Sequence, residues 1–146
     1  MSHFNPRYLE KGDTIGIVSP SRYISLAEVK PTIYWLKKNG LKVELGPNMF
    51  NRKNQMSGSD SDKISDVQAF INSPNIQAIL CSRGGYGCVR LLDQLDFQPL
   101  IDQKKWFLGY SDITAIHSHI HVNFGFPSLH CTMPMNITES NDPNEN

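Results

Sequence analysis

The chain has 146 residues, 39% of them hydrophobic and 19% charged, which is typical of one globular domain with a sizeable core. Its 14 Lys and Arg residues balance 14 Asp and Glu residues, so the composition indicates neither a nucleic-acid nor a membrane partner. The polar N-terminus predicts no signal peptide, and no apolar run is long enough to span a membrane. Cys81, Cys88 and Cys131 have the number and spacing of neither a disulfide framework nor a zinc site, which favours a reduced, cytoplasmic location.

Alternating apolar runs and helical periodicities predict an α/β fold. Strands are expected at 14–18, 41–45, 76–81, 106–110 and 127–133. Helices are expected from a Ser25–Glu28 capping box to Gly40, from 59–62 to Ser73, over Val89, Leu91 and Leu92, and over 113–122. Pro31 is expected to kink the first helix or delay its start, because proline removes a backbone hydrogen bond.

This strand–helix rhythm predicts a mostly parallel sheet flanked by helices, a three-layer domain of the Rossmann or flavodoxin type. Right-handed crossovers place every strand-to-helix loop at the same edge of such a sheet. The loops 19–21, 83–87 and 109–112 should therefore line one crevice. Residues 1–137 form the predicted domain, and the polar segment 138–146 is expected to be a linker or disordered tail.

Ser111 is the strongest candidate for chemistry. It stands between a predicted strand and a predicted helix, where a helix N-terminus and free backbone N–H groups stabilise negative charge. This position favours a nucleophile, although Ile113 replaces the second glycine of the Gly-x-Ser-x-Gly pattern. The alternative is that Ser111 only caps the following helix, and no base with an orienting acid follows it in the sequence.

A glycine-rich turn forms the second motif. Gly84, Gly85 and Gly87 follow a predicted strand, so their N–H groups are suited to an oxyanion hole or a phosphate. Neither the dinucleotide nor the P-loop pattern is met, and a simple tight turn explains the glycines equally well. Arg83 has the planar fork that can grip a carboxylate, although an arginine at such a place is more often solvated or ion-paired.

Three histidines complete the candidate groups. His117 and His121 have the four-residue spacing of a two-histidine metal site, but no acidic ligand accompanies them. His117 lies six residues after Ser111, roughly 9 Å along a helix, which is too far for a direct hydrogen bond. His130 is a weaker candidate for the base, since the sequence offers no acid to orient it.

Two long motifs in collinear order resemble the LD-carboxypeptidases, including their microcin-immunity branch. They are 82–92, Ser-Arg-Gly-Gly-Tyr-Gly-Cys-Val-Arg-Leu-Leu, and 105–115, Lys-Trp-Phe-Leu-Gly-Tyr-Ser-Asp-Ile-Thr-Ala; segments 12–21 and 129–130 are similar as well. The resemblance implies a serine peptidase with a Ser-His-Glu triad in which Ser111 is the nucleophile. It places the oxyanion hole at the backbone N–H groups of Asp112 and Gly85.

The glycine turn also predicts that Arg83, Gly84 and Tyr86 contact the substrate. The resemblance implies that no metal or cofactor is needed and that a homodimer is one assembly. The expected substrate is a murein peptide ending in a D-amino acid; a toxin-cleaving immunity peptidase is an alternative. Family members are about twice as long, and their triad His and Glu lie in a C-terminal domain with no counterpart here. The chain is expected to be the N-terminal domain only, and inactive or nearly so when isolated.

Two further hypotheses stay open at the level of sequence. The crevice of a non-catalytic module would bind a peptide or a partner domain, and Ser111 would be only a cap. A nucleotide or phosphate binder would use the glycine turn. Backbone strain at Ser111 would favour the nucleophile over the cap.

Overall fold

The structure is a computed structural model that describes residues 5–138. Its main elements are β1 (Thr14–Val18), α1 (Leu26–Lys38), β2 (Lys42–Leu45), α2 (Asp60–Asn72), β3 (Ala78–Cys81), α3 (Gln98–Asp102), β4 (Trp106–Gly109), α4 (Thr114–Phe124) and β5 (Leu129–His130). Within this range the strands form a parallel sheet in the order β2-β1-β3-β4-β5. This is the flavodoxin-like order, so the predicted fold class is confirmed.

Strand side chains alternate between two apolar layers. Ile15 and Ile17 of β1 face the layer of α1, whereas Ile79 of β3 and Phe107 of β4 face that of α2, α3 and α4. Gly16 points towards α2, where a Cβ would come within 2.4 Å of the Phe70 ring. The helix therefore packs directly on the strand backbone, and the sheet lies between two helical layers.

Two predicted helix starts are correct because side chains satisfy their first amides. Capping boxes at Ser25–Glu28 and Ser59–Asp62 open α1 and α2. The later start expected from Pro31 is wrong: α1 begins at Leu26 and continues through Pro31.

The helix predicted over Val89, Leu91 and Leu92 is also wrong. The chain forms two 3-10 turns, Cys88–Arg90 and Leu92–Gln94, with i to i−3 bonds such as Arg90 N–H to the Gly87 carbonyl. Cys88 and Leu91, three residues apart, are both buried while Val89 is exposed. In a 3-10 turn, side chains three residues apart lie on the same face, so Cys88 and Leu91 both point into the core. The apolar spacing in the sequence had indicated an α-helix instead.

Of the predicted tail, 138–146, all but Thr138 lies outside the described residues. Among the helices of residues 5–138, none has the length and apolar character needed to cross a membrane. The order β2-β1-β3 means that the chain leaves β1 and β3 towards opposite faces, which opens a crevice at their carboxyl ends. The fold thus brings the loops after β1, β3 and β4 to one edge.

Candidate active site

The three loops predicted to share a crevice contact one another. The Oγ atoms of Ser19 and Ser82, both buried, lie 2.6 Å apart and join the loops after β1 and β3. Ser21 Oγ donates to Asp112 Oδ2 at 2.8 Å and lies 3.1 Å from the Tyr86 carbonyl oxygen. The loops after β1, β3 and β4 therefore form one connected wall.

Ser111 is displayed on a strained turn at the end of β4. Its φ is +62°, in the left-handed region that costs a non-glycine residue roughly 1–2 kcal/mol. The residue is exposed, and its hydroxyl has no hydrogen-bond partner within residues 5–138. A 3-10 turn, Ser111–Ile113, separates it from α4, whose N-cap position is Ile113 without a side-chain cap. The interpretation of Ser111 as a helix cap is therefore wrong.

Asp112 ties the serine turn to both neighbouring loops. Its Oδ2 accepts hydrogen bonds from Ser21 Oγ and from the Cys88 backbone N–H at 3.1 Å. Bonds to a charged group contribute about 1.5–3 kcal/mol each. The carboxylate is thus a brace, while the Asp112 backbone N–H has no acceptor in the described part of the chain.

Gly109, at the end of β4, is also held by hydrogen bonds. The Gly109 carbonyl accepts from Cys131 N–H at 3.1 Å and lies 2.9 Å from His117 Nε2. Because a carbonyl only accepts, Nε2 carries the proton and Nδ1 accepts from Ser128 Oγ at 2.7 Å. Both ring nitrogens of His117 are occupied, so the histidine braces the turn and its spacing to His121 marks no metal site.

The glycine turn packs closely against Ser111 and Arg22. A Cβ on Gly84 would come within 2.9 Å of Ser111 Oγ and 3.5 Å of the Asp112 backbone N. Gly85 has φ +140°, and a Cβ there would lie 2.4 Å from Arg22 Cγ. The N–H groups of Gly84 and Gly85 have no backbone acceptor within residues 5–138. These amides and that of Asp112 are therefore backbone donors without a backbone acceptor in the described part of the chain, in the loops beside Ser111.

Arg83 and Tyr86 have different surroundings. Arg83 Nη1 donates to the Tyr23 carbonyl at 3.1 Å, so this guanidinium partly serves to hold the loop after β1. Tyr86 is 51% exposed, and its ring centroid lies 5.6 Å from the guanidinium carbon of Arg22. The sequence analysis did not single out Arg22; its position directly after the β1 loop was the signal for it.

The other candidates are peripheral or inert. The ring of His130 is exposed and lies 5.7 Å from that of Tyr110, with which it shares the crevice rim. Burial raises the pKa of the Cys81, Cys88 and Cys131 thiols, which disfavours a thiolate nucleophile. In the part of the chain that is described, no three His, Cys, Asp or Glu side chains converge on a possible metal position.

Backbone strain at Ser111 is measurable. We expect Ser111→Gly to raise the free energy of unfolding by about 0.5–1 kcal/mol, because glycine relieves the left-handed strain but loses more chain entropy. Ser118→Gly, at an exposed position of α4, is the matched control and should lower it by about 0.5–1 kcal/mol. Urea denaturation measures both; equal losses in the two variants would contradict strain at Ser111.

The neutral state of His117 predicts that the stability of the fold depends on pH. Burial lowers the pKa of His117 below its ordinary value of 6.5, so below that pH the unfolded chain binds more protons than the folded one. Stability should therefore fall as the pH drops below 6.5, by less than about 1 kcal/mol per pH unit. His117→Gln should flatten this slope and His121→Gln, at an exposed position of the same helix, should not. Denaturation at pH 5 to 7.5 tests this, and a slope unaltered in His117→Gln would refute it.

With this geometry defined, comparisons with known proteins become informative. The family model of the LD-carboxypeptidase N-terminal domain matches residues 15–131. A probable murein peptide carboxypeptidase of Bacillus subtilis (strain 168) is 32% identical over 131 residues, covering 90% of this chain and 41% of the relative. The murein tetrapeptide carboxypeptidase of Pseudomonas aeruginosa is 29% identical over 117 residues, covering 80% of this chain and 38% of the relative.

Solved structures agree with the sequence matches. A MccF-like protein from Bacillus anthracis superposes with a TM-score of 0.84 at 30% identity, covering 90% of this chain and 41% of that one. The microcin C7 self-immunity protein MccF, solved with aspartyl sulfamoyl adenosine, gives 0.77 at 27% identity, covering 86% and 39%. The chain thus spans about two fifths of the length of these proteins. It belongs to the LD-carboxypeptidase family, of which it represents the N-terminal domain.

Proposed function

We propose that the intact protein containing this chain is a serine carboxypeptidase that hydrolyses the amide bond to a terminal D-amino acid in murein peptides. Ser111 is the nucleophile. The observation that carries the proposal is its exposed hydroxyl at φ +62°, on a turn whose neighbours Gly109 and Asp112 are both held by hydrogen bonds. Strained residues of this kind persist where the surrounding structure enforces them, and they cluster at active sites.

In the proposed reaction, Ser111 Oγ attacks the carbonyl carbon before the D-amino acid and its proton passes to a base. The N–H groups of Asp112 and Gly85 stabilise the oxyanion, each such donor contributing about 3–4 kcal/mol. The base then protonates the leaving amine, the D-amino acid departs, and water releases the peptide from the serine ester. Gly84 and Tyr86 line the path of the substrate, and Arg83 holds the adjoining loop.

The base is the part that residues 5–138 do not supply. His117 uses both ring nitrogens elsewhere, and His130 packs on Tyr110 without an acidic partner. We propose that a His–Glu pair from the segment that follows the matched region in the longer relatives completes the triad. The chain alone should then keep only the residual catalysis of an oxyanion hole and substrate binding.

A second substrate class has its own support. The similarity to MccF solved with aspartyl sulfamoyl adenosine favours an amide-linked aminoacyl nucleotide as the alternative substrate. The same nucleophile and oxyanion donors serve both substrates, so only the leaving group differs. Turnover of each substrate decides between them.

The test is D-alanine release from a murein tetrapeptide. Two samples are compared, the 146-residue chain and a fusion in which the C-terminal part of the Bacillus subtilis relative follows it. We expect the fusion to release D-alanine, its Ser111→Ala variant to be at least about 10³-fold slower, and the unfused chain to be similarly slow.

Ser118→Ala in the fusion is the matched control, because Ser118 is an exposed serine of α4 and its loss should affect the rate far less than the loss of Ser111. Circular dichroism verifies that each variant is folded. Turnover by a folded Ser111→Ala variant at the parent rate would contradict the nucleophile, and robust turnover by the unfused chain would contradict the missing base. Preferential cleavage of a sulfamoyl-linked aminoacyl adenosine would select the second substrate class.

A further inference from the structure

We propose that Arg22 binds the free carboxylate of the substrate residue that is released, and so makes the site specific for the end of a peptide. This inference rests on the proposed function, because it assigns a substrate group to the same crevice. It concerns a residue outside both motifs that carried the family resemblance.

Arg22 carries a charge without a partner. No carboxylate pairs with it within residues 5–138, and its Nε is buried without a hydrogen-bond acceptor. Two other arginines have anionic partners: Arg7 pairs with Asp13 at 2.7 Å and Arg90 with Asp60 at 2.5 Å. Arg52 lies over a tyrosine ring as Arg22 does, but its Nε donates to the Asn54 carbonyl. An unsatisfied buried donor is unfavourable, and a ligand that accepts its hydrogen bond would remove that cost.

The position of Arg22 fits the terminal residue of a substrate. Gly84 approaches Ser111 and the next residue, Gly85, approaches Arg22. Two consecutive residues of the glycine turn, whose Cα atoms are about 3.8 Å apart, thus approach the serine and the stem of the arginine. In a peptide cleaved before its last residue, the free carboxylate lies one residue step beyond the scissile carbonyl. The spacing of the two contacts along the glycine turn therefore matches one residue of substrate.

The chemistry of the Arg22 guanidinium favours a carboxylate as its ligand. A guanidinium forms two parallel hydrogen bonds with a carboxylate, a geometry that a terminal amide cannot match. The ring of Tyr86 lies on one side of the Arg22 guanidinium and the Gly85 backbone contacts its stem, which restricts water around the charge. Shielding from water strengthens an ion pair.

Arg83, the arginine singled out from the sequence, is less suited to this role. Its Nη1 is bonded to the Tyr23 carbonyl, and Glu28 lies close enough to feel its charge. The Ser25 amide and hydroxyl, and more weakly Arg83, lower the pKa of Glu28 and keep that carboxylate ionised. The Nε of Arg83 is buried without an acceptor, as is that of Arg22. Arg83 nevertheless has a carbonyl and a nearby negative charge, whereas no hydrogen-bond acceptor contacts the Arg22 guanidinium within residues 5–138.

The experiment compares Nα-acetyl-L-lysyl-D-alanine with its C-terminal amide as ligands of the 146-residue chain. Binding is followed by NMR shifts of the Gly85 and Tyr86 amides. The parent chain should bind the acid at least about 10-fold more tightly than the amide, since an arginine–carboxylate pair is lost in the amide. Arg22→Gln should abolish this preference, Arg22→Lys should keep part of it, and Arg52→Gln should keep all of it.

Equal affinity of the parent chain for both peptides, no binding of either, or an unchanged preference in Arg22→Gln would each overturn the inference. The amide spectrum of each variant verifies its fold, and Arg22→Lys retains the charge if Arg22→Gln does not fold. Ser111→Ala in the fusion reports on the proposed function separately. Loss of turnover in Ser111→Ala with an unchanged acid preference in Arg22→Gln would reject this inference alone, and the reverse pattern would reject the proposed function alone.

Discussion

The carboxylate of Asp112 connects the three loops from which the site is built. It accepts hydrogen bonds from Ser21 in the loop after β1 and from the Cys88 backbone at the end of the glycine turn, and it belongs to the turn after β4. Without it, the Cys88 amide would lose its acceptor, and the turn after β4 would lose its side-chain hydrogen bonds to the other two loops. Because the loops leave neighbouring parallel strands, a single side chain can reach all of them.

These hydrogen bonds stabilise a strained backbone conformation at Ser111. Gly109 is held by His117 and by the Cys131 amide, Asp112 is held by Ser21, and Ser111 between them takes the strained conformation. Its hydroxyl faces solvent while neighbouring amides lack acceptors. In the proposed function these groups are the nucleophile and the oxyanion donors, and the base comes from outside the chain, which covers 41% of the Bacillus subtilis relative.

Local signals predicted the strands, the capped helices and the shared crevice, because apolar periodicity and side-chain caps act over a few residues. The prediction for the segment after Gly87 was wrong because the burial of Cys88 and Leu91, three residues apart, depends on how the segment packs in the fold. The sign of φ at Ser111 depends on contacts from distant loops, and the unpaired state of Arg22 is defined by which carboxylates are absent around it. Both are long-range properties that a single sequence does not encode locally.

The nucleophile is the central claim, and covalent labelling tests it most directly. A small fluorophosphonate forms a stable adduct with an activated serine, and peptide mass spectrometry locates the modified residue in the fusion with the Bacillus subtilis segment. The account predicts one adduct, on Ser111, which disappears in a folded Ser111→Ala variant. Labelling of a different serine at the same rate, with Ser111 unmodified, would contradict it.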